Sequence, residues 1–140
     1  MFNPSRDEVR EMFFGAWRSY RQGTPISGIQ ALALDVILEH PEYHAMLDAP
    51  ERFRERDYTD ETNPFLHMSL HLALEEQLSI DQPPGIRSRW QTLLERTGER
   101  HEALHRAIEC LAETLWRAQR DGAPPDAAAY LSCLERRAVT

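Results

Sequence analysis

The stretch Asn63-Pro64-Phe65-Leu66-His67-Met68-Ser69-Leu70-His71-Leu72-Ala73-Leu74-Glu75-Glu76-Gln77-Leu78-Ser79-Ile80 decides the fold class. Asn63 is a good helix N-cap, and Pro64 suits the first helical position, where its missing N–H costs nothing. The residues that follow carry apolar side chains at helical spacing, with no strand-like alternation, until Gln82-Pro83-Pro84-Gly85 breaks the pattern. A helix from Pro64 to about Ile80 is predicted.

The same grammar recurs on either side. Asn3-Pro4 is an earlier copy of the start signal. Val9, Met12, Phe13, Ala16, Trp17 and Tyr20 follow at helical spacing until Gly23. A second helix is predicted from about Ser27 to Glu39, carried by Ile29, Leu32, Val36 and Ile37. Pro41 interrupts it, so His40 becomes a junction before a short helix with Tyr43, His44 and Leu47. Residues 49–63 read as a polar connector with about one helical turn. Beyond the Pro-Pro-Gly break, helices are expected around Ser88 to Arg96 and from about Gly98 to Asp121. A last one carries Tyr130, Leu131 and Leu134. The expectation is an all-α, single-domain helical bundle of about five to seven helices covering residues 1–140. Trp17, Trp90 and Trp116 are expected in its core.

Composition narrows the function. The chain has 140 residues, with 23 acidic against 16 basic side chains and a formal charge of −7. A nucleic-acid binder carries the opposite sign or a dense basic patch, so no nucleic-acid partner is predicted. No apolar run is long enough to span a bilayer, and the first residues lack the basic start and apolar run of a signal peptide. With only Cys110 and Cys133, far apart, a disulfide framework is not expected, and a reducing, cytoplasmic setting is. The two cysteines read as packing residues.

The histidines carry the chemistry. All six, His40, His44, His67, His71, His101 and His105, have a partner four residues away. Random placement would give about 0.2 such pairs. Residues four apart lie one above the other on a helix, which lets two imidazoles reach one ion. Two columns lengthen the pattern: His67, His71 and Glu75, and His101, His105 and Glu109. On a helical wheel Leu74 and Leu78 fall within about 20° of His67, and His71 at about 40°. These histidines therefore share the apolar side. His101 and His105 fall similarly among Ile108, Ala112 and Trp116, while Cys110 falls on the opposite, less apolar side. Pro41 prevents His40 and His44 from sharing one regular helix.

Imidazoles on a buried face need partners, and a divalent cation satisfies several at once. Such donors suit transition metals and disfavour Ca or Mg. The predicted ligands are His40, His44, His67, His71, Glu75, His101, His105 and Glu109, holding one or two iron or zinc ions. This is similar in kind to the inward-facing His and Glu of haemerythrin-like bundles. Two other readings stand beside it. One is a non-catalytic interaction module with structural histidines, engaging a protein partner or a second copy of itself. The other, a minor one, is a zinc hydrolase, because His101-Glu102-Ala103-Leu104-His105 matches H-E-x-x-H.

His40-Pro41-Glu42-Tyr43-His44, Asn63-Pro64-Phe65-Leu66-His67-Met68-Ser69-Leu70-His71, and Gln82-Pro83-Pro84-Gly85-Ile86 also resemble an uncharacterised bacterial family, domain-of-unknown-function family 1841. The segment from His101 to Trp116 and Pro125-Asp126 with Tyr130 are similar too. The resemblance implies a small bacterial cytoplasmic protein and supplies no biochemical activity.

Overall fold

The computed structural model describes residues 5–58 and 63–139. Among them every regular element is helical: α1 (Arg6–Gln22), α2 (Ile29–Leu38), a 3-10 turn (Pro41–Tyr43), α3 (His44–Leu47), α4 (Pro50–Phe53), α5 (Pro64–Ile80), α6 (Ile86–Thr97), α7 (Arg100–Asp121) and α8 (Ala127–Val139). The eight α-helices exceed the five to seven expected because the single helical turn anticipated within the 49–63 connector is a helix of its own, α4. The backbone resolves into two compact units, Met1–Leu72 and Ala73–Thr140, where a single domain was expected.

Local chemistry fixes the helix ends. Asn3-Pro4 lies outside the described residues. The N-cap of α1 is Ser5, whose hydroxyl accepts from the Glu8 amide while the Glu8 carboxylate accepts from the Ser5 amide. Gly23, at φ 72°, closes that helix in the left-handed conformation glycine adopts without strain. The start of α5 falls where Asn63-Pro64 placed it. Asn63 Oδ1 accepts from the backbone N–H groups of Phe65 and Leu66 at 2.9 and 3.2 Å. Asn63→Ala should therefore lower unfolding stability by about 1 kcal/mol in urea titrations. A change below about 0.3 kcal/mol would show that the cap contributes nothing. The predicted 49–63 connector contains α4, and its residues 59–62 lie outside the described set.

In the first unit α1 packs on α2 and touches α3. Phe13, Phe14, Ala16 and Trp17 of α1 meet Ala33, Val36 and Ile37 of α2, Met46 and Leu47 of α3, and Phe65, Met68 and Leu72 of α5. Trp17 keeps its polar end satisfied by donating Nε1–H to Asp48 Oδ1 at 2.7 Å. Arg10, only 3 % exposed, was not anticipated as an interior residue. Its guanidinium donates to the carbonyls of Arg54 and Arg56 at 3.0 and 2.7 Å and lies 4.6 Å over the Phe65 ring. Burial pulls its pKa below the ordinary arginine value. Backbone carbonyls and an aromatic face substitute for water around a charge that cannot be shed.

In the second unit α6, α7 and α8 pack on one another. Ile86, Trp90 and Leu93 of α6, Leu104, Ile108 and Leu111 of α7, and Tyr130 and Leu134 of α8 are buried. Tyr130 donates its hydroxyl to Gln77 Oε1 of α5 at 2.7 Å, and burial holds its pKa well above the ordinary phenol value. Two expectations are overturned here. Trp116 is 59 % exposed, with the Arg120 guanidinium 4.9 Å over its ring, because the buried stripe of α7 runs through Leu104, Ile108 and Leu111 instead. Cys110 belongs to that buried stripe. It forms a disulfide with Cys133 across α7 and α8, their Cα atoms 5.8 Å apart. A separation of 23 residues offers no signal for this pairing, since only packing α8 on α7 aligns the two positions.

Candidate metal centre

Proline decides where the first ligand stands. The residue before a proline is driven out of the α region, so α2 ends and His40 adopts φ −127°, ψ 65°. Its backbone N–H still reaches Ile37 O at 2.9 Å, which keeps the residue against the helix end. The ring folds back over the last turn, and Nδ1 lies 2.7 Å from Val36 O. A carbonyl only accepts, so Nδ1 is the protonated nitrogen and Nε2 carries the lone pair. Orientation of a ligating imidazole through its other nitrogen is the usual outer support of a metal-binding histidine.

Within α5 the four-residue spacing does what the wheel predicts. His67 and His71 lie one turn apart, with their Nε2 atoms 3.2 Å from each other and ring centroids 4.7 Å apart. His40 stands edge-on to both, with centroids 5.1 Å from His67 and 4.4 Å from His71. His40 and His71 are each 1 % exposed. One ring nitrogen from each of the three lies within 4.8 Å of the others. The fit to a metal can be tested on distance. Two imidazole nitrogens 2.0–2.1 Å from one tetrahedral ion stand about 3.3–3.4 Å apart. The observed 3.2 Å between His67 and His71 is close to that bite. Without an ion, one of these nitrogens must be protonated and donate to the other.

Tyr43 covers the group, stacked on His40 at 5.5 Å and edge-on to His67 at 6.4 Å. Burial, with the Glu42 charge adding, raises its pKa, so the phenol stays neutral.

His44 turns away from its partner His40. Its Nε2 donates to Ile37 O at 2.8 Å and its ring stacks on Trp17 at 4.4 Å. Pro41 explains the separation, because the 3-10 turn breaks the helical register between the two residues. Glu75 accepts from Arg100 at 2.9 Å, and Glu109 pairs with Arg137. His101 and His105 hold their rings 4.2 Å apart on α7. His101 is exposed, which departs from the inward-facing expectation, while His105 is half-buried. The N-cap of α7 is Glu99, whose carboxylate accepts from the Glu102 and His101 amides. Those bonds hold its pKa below the usual carboxylate range. Glu102, the general base of an H-E-x-x-H reading, accepts from Arg106 at 2.9 Å.

The sequence model for the domain of unknown function DUF1841 matches residues 5–136. The chain belongs to the DUF1841 family. No curated protein and no solved structure matches it. No helix among the described residues is long and apolar enough to cross a membrane. DUF1841 membership attaches no chemistry to these residues, so the functional argument rests on the histidine geometry.

Proposed function

We propose that the protein binds a transition-metal ion, iron or zinc, anchored by His40, His67 and His71. The observation that carries the reading is the convergence of three buried or half-buried imidazoles whose ring nitrogens come within 4.8 Å of one another. A neutral all-imidazole group suits Zn, Fe, Ni or Cu, and gives no advantage to Ca or Mg, which prefer oxygen donors. Val36 O fixes the His40 ring, so part of the organisation is in place before an ion arrives. Further donors come from water, a small ligand or the remaining sequence-predicted residues. Variants at Glu75, His101, His105 and Glu109 test the latter one by one. A second ion rests on the number of histidines alone. The hydrolase reading loses support because Glu102 is engaged by Arg106.

The test is elemental analysis by plasma mass spectrometry of protein purified without a histidine tag or chelator. About one equivalent of iron or zinc is expected, lost in a His67→Ala/His71→Ala double variant. Less than about a tenth of an equivalent, persisting after reconstitution with Fe, Zn, Ni and Cu, would overturn the proposal. The histidines would then be structural residues, as His44 is where it bonds Ile37 O.

A further inference from the structure

The Cys110–Cys133 disulfide joins α7 to α8 within the second unit, and its two cysteines have unequal surroundings. Cys110 is 1 % exposed within the buried stripe of α7. Cys133 is 8 % exposed and lines an open cavity of about 530 Å³ formed by the end of α7, the following turn and α8. A purely structural disulfide needs no opening beside it, whereas exchange requires a path to one sulfur and a leaving group on the other.

The charges around the cavity suggest what enters. Of the charged side chains lining it, Arg117 pairs with Glu113 at 2.7 Å and Arg120 pairs with Asp121 at 2.9 Å. Those four neutralise one another. Arg136 and Asp126 remain. Arg136 has no ion pair among the described residues, and Asp126 Oδ1 accepts from the Ala129 amide at 3.0 Å. One cation and one anion beside a sulfur fit the carboxylate and ammonium of a small zwitterionic thiol.

We propose that Cys133 is a thiol-exchange site for a small, carboxylate-bearing thiol, with Cys110 as its leaving group. The thiolate of the incoming molecule attacks Cys133 Sγ, forming a mixed disulfide there. The Cys110–Cys133 bond breaks, and Cys110 leaves as a thiolate that takes up a proton. A second molecule of the thiol then attacks the exogenous sulfur of the mixed disulfide. This releases Cys133 as a thiol and the two small molecules as their disulfide. Two small thiols are oxidised and one protein cystine is reduced to two cysteines, so the link between α7 and α8 is broken at the expense of the thiol pool; the reverse steps, starting from the small-molecule disulfide, remake it.

The probe is reduced glutathione, at limiting concentration, on the oxidised full chain. Free thiols are then blocked by alkylation, and peptide mass spectrometry is run without reduction. Glutathione is expected on Cys133, with the alkylating group on Cys110. With oxidised glutathione, Cys110→Ala should be modified at Cys133 at least about tenfold faster than Cys133→Ala at Cys110. Arg136→Ala should slow exchange with glutathione about threefold relative to exchange with the uncharged thiol 2-mercaptoethanol. Because this is a ratio within one variant, a general loss of folding does not mimic it. An adduct on Cys110, equal rates at the two cysteines, two free thiols in protein purified under air, or opening only by a phosphine reductant would each overturn the proposal.

Discussion

Replacing His71 with alanine is expected to weaken metal binding by more than about 100-fold and to remove most of the metal-dependent stabilisation. The ring is 1 % exposed, 3.2 Å from His67 Nε2 and 4.4 Å between centroids from His40, so it is common to both close pairs in the group. At free metal 100-fold above Kd, an ion that binds only the folded chain adds about 2.7 kcal/mol to stability. Thermal or urea unfolding of the wild type with and without zinc should show that increment. His71→Ala should keep at most about 0.4 kcal/mol of it, besides losing about 1–3 kcal/mol in the absence of metal from truncation of a buried, hydrogen-bonded ring. The control is His44→Ala. It removes a bond to Ile37 O and a stack on Trp17, costing about 1–2 kcal/mol, yet should change metal affinity by less than about threefold. Equal losses of affinity in the two variants would sink the assignment of His40, His67 and His71 as the anchoring group.

The contrast between His44 and His71 also shows where sequence reasoning stops. The α5 boundaries were legible because Asn63-Pro64 and the Pro-Pro-Gly break are local signals, and the His67/His71 pair was legible because helical spacing is local too. Which of the other predicted ligands joins that pair was not. Four-residue spacing ties His40 to His44, but Pro41 turns the chain, and His40 meets α5 while His44 stacks on Trp17. The same limit explains Arg10 and the disulfide. Arg10 is held by carbonyls 44 and 46 residues away, and Cys133 meets Cys110 only because α8 packs on α7. The misjudged face of α7 has another cause. Its apolar residues cover enough of the wheel that Trp116 and Cys110 could exchange sides without spoiling the periodicity, and tertiary packing made the choice.

Phe13→Ala should be the most destabilising single truncation in the first unit, by about 3–5 kcal/mol. Phe13 is fully buried on α1 in the cluster that joins α1, α2, α3 and α5, so its removal forfeits transfer energy and leaves a cavity lined by side chains of several helices. Leu66, though equally apolar and placed in the first turn of α5, is 59 % exposed. Leu66→Ala should stay within about 0.5 kcal/mol. Urea denaturation with unchanged m-values is the measurement, since a changed slope would mean an altered denatured state or loss of two-state behaviour. A loss below about 1 kcal/mol at Phe13 would mean that the α1 core residues can repack freely. In that case the hydrophobic cluster behind α2 would not be rigid enough to hold His40 against His71, and the metal centre would have to be organised by the ion itself.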